Sequence, residues 1–370
     1  MITIVIPTIG RPTLRDTLAA VGPGVPVIVV DDRAGAEVAR RTGSSTVGDS
    51  GGSCSEEIGM PTVLTHPPDH VRVVRSGGKG PAAARNAGWR AADTPWIVFL
   101  DDDVIPEPGW AEAVWKDLAG LPDDVAGSQG RIVVPLPRHR RPTDGERHTA
   151  GLTGARWVTA DMAYRRAALE ATGGFDERFP RAYREDADLA LRMTRAGHRL
   201  VRGERVTRHP VRQDGFWASV RFQRGNADDA LMRRLHGPRW RAAIGGGPGR
   251  LRMHAVTTAA GLAAVALGAL AAGTRGPASS GPTSSGPTSS GPASSGPASS
   301  GPAVRPGRPV AWLAAVAGVA WAGLTAEFAW RRIAPGPRTP AEVWRMTVTS
   351  VVIPPVACAH RLLGEWRVRR

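Results

Sequence analysis

The chain has 370 residues, 42% of them hydrophobic, 22% charged and 5% aromatic, which is length for roughly two domains with a sizeable core and excludes wholesale disorder. Its two cysteines, Cys54 and Cys358, are far apart in sequence and context; that excludes a disulfide framework or a Cys-rich zinc site and fits a reducing compartment. The formal net charge of +15 lies at one end, because residues 1–202 hold 26 Lys/Arg against 26 Asp/Glu while residues 203–370 hold 22 against 7, so a neutral module precedes a basic one. Only Lys79 and Lys116 among the basic residues are lysine, so arginine abundance by itself is weak evidence for phosphate binding.

The first residues, Ile2-Thr-Ile-Val-Ile-Pro7, are β-branched and lack a basic leader or cleavage site, which predicts a first strand and not a signal peptide. Pro12 and Thr13-x-x-Asp16 give helix-start chemistry ahead of Leu14, Leu18 and Val21, and Val25 to Val30 form a second strand ending at Asp31-Asp32. Residues 43–59 are small and polar without periodicity, which predicts a mobile surface insertion before a third strand at Val71 to Val74. Ala82 to Ala92 reads as a helix, Trp96 to Leu100 as a buried strand and Pro108 to Leu118 as a helix. A strand at Ile132 to Val134, a helix from Arg165 closed by Gly173-Gly174, and a helix from about Asp186 closed by Gly197 complete a unit of about 210 residues. Alternating strands and helices imply a largely parallel sheet covered on both faces.

Farther on, Gly276 to Ser300 is five copies of Gly-Pro-Ala/Thr-Ser-Ser, a composition that makes an extended linker and no core. Ala255 to Ala272 carries no charge, and Pro309 to Trp330 carries only Glu327. Both suit membrane-spanning helices, with a soluble Ala-rich hairpin as the competing reading. Trp312 and Trp330 bracket the second segment, and arginines crowd the outer flanks (Arg250, Arg252, Arg331, Arg332) more than the intervening loop (Arg275, Arg305, Arg308). The positive-inside rule then puts both ends in the cytoplasm. Met346 to Ala359, interrupted by Pro354-Pro355, is expected to lie at the interface. The domains so expected are 1–215, a basic helical connector at 216–254, a two-helix hairpin at 255–333 enclosing the repeat linker at 276–303, and a basic interfacial tail at 334–370.

Phe99-Leu-Asp-Asp-Asp103 at the carboxyl end of a buried strand is the strongest chemical signal, since open α/β sheets bind ligands there. Asp101 and Asp103 of an extended run point the same way and could share a divalent cation that also holds diphosphate oxygens; the alternative is a solvated acidic turn. Arg184-Glu-Asp186-x-Asp188 opens an amphipathic helix, where the acids either complement the helix N-terminus or supply a carboxylate that accepts a proton from an attacking hydroxyl. Asp31-Asp32 closes the second strand, where an acid can bond a nucleotide base or ribose.

Taken in order, Val5-Ile-Pro-Thr8, Val29-Val-Asp-Asp32, Ala84-Arg-Asn86, Phe99-Leu-Asp-Asp-Asp103, Gly173-Gly-Phe-Asp-Glu177 and Glu185-Asp186 resemble family 2 glycosyltransferases of the GT-A fold, over residues 1 to about 210. The resemblance implies an α/β fold with a mixed, Rossmann-like sheet flanked by helices, here followed by the membrane hairpin. It further implies a nucleotide-sugar donor, Mg²⁺ or Mn²⁺, and inversion at the anomeric carbon by direct displacement. Carried over by position, it makes Asp186 the catalytic base and assigns Thr8, Arg11, Asp31, Asp32, Arg85, Asp102 and Glu185 to substrate. Asp101, Asp103 and His209 fall to the metal, with a bland structural role open for His209. Two departures stand out: Arg33-Ala34 replaces the family's small-polar continuation after the Asp-Asp pair, and Gln223-Arg-Gly-Asn226 lacks the Gln-x-x-Arg-Trp motif of processive synthases. The expectation is therefore a single-addition transferase at the cell membrane, its catalytic domain cytoplasmic, acting on a glycan or lipid-linked acceptor. Competing readings are a polyprenyl-phosphate sugar transferase and a non-catalytic nucleotide-sugar-binding membrane protein. Nucleic acid is not expected, because the basic half lacks an array of stacking aromatics.

Overall fold

The structure, a computed structural model, describes residues 1–34, 62–211, 215–273 and 308–369. The insertion expected at 43–59, Cys54 and the repeat linker at 276–303 lie outside the described residues. The chain divides into a first unit of residues 1–248, 335–337 and 360–370, and a second of residues 249–334 and 338–359.

The first unit runs β1 (Ile2–Thr8), α1 (Leu14–Val21), β2 (Val27–Asp31), α2 (Thr62–Thr65), β3 (Val71–Arg75), α3 (Pro81–Arg90), β4 (Trp96–Leu100), β5 (Ile105–Pro106), α4 (Trp110–Leu118), β6 (Val125–Val133), α5 (Asp144–Ala150), β7 (Asp161–Arg165), α6 (Arg166–Thr172), α7 (Glu185–Arg195), β8 (Arg199–Arg208), α8 (Ala218–Arg221), α9 (Gly225–His236) and α10 (Trp240–Ala243). Its eight-stranded sheet has the order β3-β2-β1-β4-β7-β6-β8-β5. β1 to β4 pair in parallel, β7 lies antiparallel between β4 and β6, and β6 and β8 run parallel. Both faces are covered, as the apolar strands require: Ile4, Ile6, Val98 and Leu100 pack with α1 and α4 on one side, and Val5, Val30, Ile97 and Phe99 with α3 and α7 on the other. A third cluster joins Ala187 and Leu191 of α7 to Leu231 and Met232 of α9 and to Trp240.

The expected mixed, helix-flanked sheet is the one found, with two differences of detail. β6 is far longer than the expected Ile132 to Val134, and β7 was not expected. Small and polar residues hide both. A Cβ on Gly127 would stand 2.8 Å from Met162 and Tyr164 and 2.9 Å from the Ala163 carbonyl, so β6 is small where β7 presses on it. β7 in turn opens with a fully buried acid. Asp161 accepts from Trp110 Nε1 (2.7 Å), Thr207 Oγ1 (2.6 Å) and Arg205 Nε (2.7 Å), which satisfies a charge that would otherwise be expelled.

The second unit contains α11 (Leu251–Gly273), α12 (Arg308–Ile333) and most of α13 (Pro340–Arg369). All three are long and apolar enough to cross a membrane, with mean hydropathies of 1.9, 1.5 and 1.3. α11 and α12 pack closely where Gly261 leaves room for Trp321, whose ring would stand 2.9 Å from a Cβ there. The break expected at Pro354-Pro355 does not occur; α13 continues through it, although the two prolines deprive the Ser350 and Val351 carbonyls of their helical donors. Within this unit α13 meets α12 where Arg332 Nη1 donates to Thr349 (2.8 Å) and Ser350 (3.1 Å). It meets the second turn of α11 at Thr258 and the free thiol of Cys358, 3.8 Å apart.

Candidate active site

The strand order reverses at β1 and β4, so their carboxyl ends open a crevice. A cleft of about 240 Å³ lies there, and Thr8, Arg11, Asp32, Arg85, Asp101 and Asp102 line it. β4 is apolar to Leu100 because it is buried on both faces; the chain turns polar at the crevice.

The three adjacent carboxylates divide their partners. Asp101, about a quarter exposed, accepts from Arg85 Nη2 at 2.8 Å. Asp102 is buried, accepting from Thr8 Oγ1 at 2.6 Å and Arg11 Nη1 at 2.8 Å. Burial raises its carboxyl above the usual range, against these two bonds and with the Asp103 and Asp101 charges adding. Asp103 is buried too, 3.3 Å from Arg11 and 3.8 Å from His209 Nε2. Thr8 and Arg11 thus stand on the acids as much as on the cleft.

Arg85 is central. It is 2% exposed, and Nη1 donates to Glu185 at 2.7 Å while Nη2 holds Asp101, so one guanidinium ties the end of β4 to the start of α7. Its Nε and the Glu185 Oε2 are buried without a hydrogen-bond partner. Next to it, Asn86 donates to the Phe175 carbonyl (2.9 Å) and to Glu177 (2.8 Å) and accepts from Trp89 Nε1 and the Phe175 amide. Gly174 follows from that bonding: at φ +74° a Cβ would stand 2.5 Å from Asn86 Oδ1.

The β2 acids are held locally. Asp31 accepts Nε (2.8 Å) and Nη2 (2.7 Å) of Arg33; burial pushes its carboxyl up, but the Arg33 bonds and the charges of Arg33 and Arg75 more than offset that and leave it lowered. Asp32 accepts from Ser76 Oγ (2.6 Å) and the Gly80 amide (2.9 Å), fixing the loop that starts α3, and it still lines the cleft.

Glu185 and Asp186 form the first turn of α7. Burial raises both carboxyls, and they repel each other and Asp101, against the opposing charge of Arg85. Burial is the larger cause, and the mutual repulsion of the acids adds to it, while the charge of Arg184 also opposes the rise at Asp186. Tyr164 of β7, whose buried hydroxyl lacks a hydrogen-bond partner, is in the electrostatic neighbourhood of Asp186.

Asp101, Asp103 and His209 do not converge as a trio: among the described residues no group of three His, Cys, Asp or Glu side chains could hold a metal ion. Asp103 and His209 do face each other. The imidazole Nδ1 lies 2.9 Å from the Pro210 carbonyl, and donation there presents the Nε2 lone pair toward the carboxylate, an orientation suited to a cation whose remaining ligands come from a bound diphosphate. The two side chains fit a divalent cation; Asp101, taken by Arg85, fits less well. Sequence reasoning missed Arg33 and Ser76, which take up the β2 acids, and Tyr164. Only Arg33, two residues from Asp31, left a local signal.

An acid-rich crevice beside β1 and β4 of such a sheet is where open α/β sheets bind ligands. Residues 63–188 match the model described as Glycosyl transferase family 2. A "Pre-mycofactocin glycosyltransferase" of Mycobacterium tuberculosis (strain CDC 1551 / Oshkosh) is 31% identical over 217 residues, 54% of this chain and 40% of that protein. The chain thus spans about two fifths of the length of the curated relatives it matches. Among solved structures, S. aureus TarS 1-349 in complex with UDP-GlcNAc overlaps at TM-score 0.38 and 12% identity, covering 62% of this chain and 65% of that one. Glucosyl-3-phosphoglycerate synthase from Mycobacterium tuberculosis, in complex with phosphoglyceric acid, overlaps at 0.39 and 15%, covering 67% and 81%.

Proposed function

We propose that the chain is a metal-dependent, inverting glycosyltransferase that moves a sugar from a nucleoside-diphosphate donor to a hydroxyl of a membrane-linked or cell-envelope glycan acceptor. The observation that carries the reading is the link made by Arg85, which ties Asp101, at the cleft, to Glu185, the neighbour of Asp186 in the chain. The nucleotide end of the donor lies toward Thr8, Asp31 and Asp32, and the diphosphate toward Arg11 and Asp103. Asp103 and His209 would hold Mg²⁺ or Mn²⁺, which when bound supplies positive charge to the leaving diphosphate. Asp186 takes the proton of the acceptor hydroxyl as its oxygen attacks the anomeric carbon. The bond to the diphosphate oxygen breaks on the opposite face, so the configuration inverts. A raised carboxyl suits the task, because a base is most effective with a pKa near the working pH. An acceptor that is already an anionic phosphate would need no such base, which favours a hydroxyl over a polyprenyl phosphate.

The test uses the full chain in detergent with UDP-, GDP-, dTDP-, CMP- and ADP-linked sugars, with Mn²⁺ or Mg²⁺ and with EDTA. One nucleotide class should stabilise it in a metal-dependent way and be turned over. Asp186→Asn should lower turnover by about 10²–10⁴ with donor affinity by calorimetry nearly intact; turnover like the wild type's would remove Asp186 from the reaction.

A further inference from the structure

The turn that delivers Asp186 is in an uncommon backbone state. Arg184, which precedes α7, has φ +80° and lies in the left-handed region. For a residue with a Cβ that state is sterically unfavourable and persists only where the surroundings over-determine it. The surroundings are visible. Arg184 Nε donates to Asp229 Oδ1 at 3.0 Å and Nη2 to the Tyr183 hydroxyl at 2.6 Å. Its guanidinium carbon lies 4.2 Å from the Tyr183 ring centroid and 4.8 Å from that of Trp240. Asp229 is 3% exposed and also accepts from Arg241.

The same helix, α9, ties the chain on both sides of Asp186. Asp228 accepts from Arg181 Nη2 at 2.6 Å, and His236 Nε2 lies 2.7 Å from Asp188 Oδ1. The close seat needs glycine at the start of α9, where a Cβ on Gly225 would stand 2.6 Å from the Tyr183 ring. A segment that reads in the sequence as a basic connector is therefore fastened to the turn that carries the base.

We propose that Asp229 is a positioning residue which, acting through Arg184, holds the left-handed turn from which Asp186 projects. The inference rests on the assignment of Asp186 as the base. The pair fixes a backbone geometry that Arg184 would otherwise leave.

The experiment measures the full chain in detergent with Mn²⁺ and the nucleotide sugar it accepts from the donor panel, using water as the acceptor. Asp229→Asn, isosteric and without the charge, and Arg184→Ala are each expected to lower kcat by at least tenfold with donor KM within about twofold. Arg184→Gly, which adopts φ +80° without a Cβ clash, is expected to recover at least tenfold over Arg184→Ala. Melting curves establish that each variant is folded. A wild-type kcat in folded Asp229→Asn, a parallel rise in KM, or Arg184→Gly no better than Arg184→Ala overturns the proposal. If Asp186→Asn is impaired while Asp229→Asn is not, only this inference fails. If the wild type turns over no donor, or Asp186→Asn matches it, the functional reading fails and takes this inference with it.

Discussion

At the residue scale the site is a distribution of carboxylates among too few cations. Asp31 is bonded by Arg33 and its carboxyl is lowered, whereas Asp101 and Glu185 share Arg85, and burial raises the carboxyls of Glu185 and Asp186. The acids and their order were legible in the sequence; their partners were not, because Arg85–Glu185 spans 100 residues and Thr8–Asp102 spans 94. Arg85, expected to bind substrate, lines the cleft and is bonded to two carboxylates. A lysine has one point of charge and cannot serve both, so Arg85→Lys should lower turnover by more than tenfold while leaving a folded protein, as steady-state kinetics beside a melting curve would report. Asp103→Ala should abolish metal-dependent donor binding. Calorimetry finding donor and Mn²⁺ affinities unchanged in that variant would exclude Asp103 as a ligand.

At the element scale, the parallel strands announced themselves as continuous apolar runs, since they are buried on both faces. β6 and β7 did not, because Gly127 and Asp161 answer to each other's neighbourhood and to no local pattern. Gly127→Ala should therefore cost about 1–3 kcal/mol by overpacking, measurable as a lowered denaturation midpoint. Helix α5 shows the opposite, a feature written locally. Thr143 caps it, accepting from the Glu146 amide at 3.3 Å while Glu146 accepts from the Thr143 amide at 2.7 Å, and Arg140 donates twice to Glu146. Those Arg140 bonds above all, with the Thr143 amide, lower the Glu146 carboxyl to about 2. A depressed carboxyl contributes stability above its unfolded pKa of about 4.3 and loses it as pH falls through the folded value. Glu146→Gln should thus be less stable than the wild type at pH 6 and converge with it near pH 2; a gap independent of pH would show that the ionised carboxylate is not what matters.

At the scale of the whole molecule, the basic half has two tasks that composition alone could not separate. Residues 216–248 cluster with the catalytic unit, and the apolar helices stand in the other. α13 is long and apolar enough to be a third span, yet its last ten residues, 360–369, belong to the first unit. Gly364 is set against α9 there so closely that a Cβ would stand 2.6 Å from the Ala227 Cα and carbonyl oxygen. A third crossing would carry those residues to the far side of a membrane from α9, so the expected two-helix hairpin, α11 and α12, predicts that α13 does not cross. Its midpoint meets Arg332, one residue from the end of α12, and Arg331 and Arg250 pair with Glu327 nearby. Arginines at those ends favour the cytoplasmic leaflet. Reporters fused at Met1 and after Arg370 should then label on the same side in sealed vesicles. Gly364→Val should loosen the contact with α9, raising protease cleavage near Arg361 without moving either reporter, because backbone atoms at 2.6 Å cannot yield to a side chain. Reporters on opposite sides would make α13 a true third span and rule out the Gly364–Ala227 contact in the inserted protein.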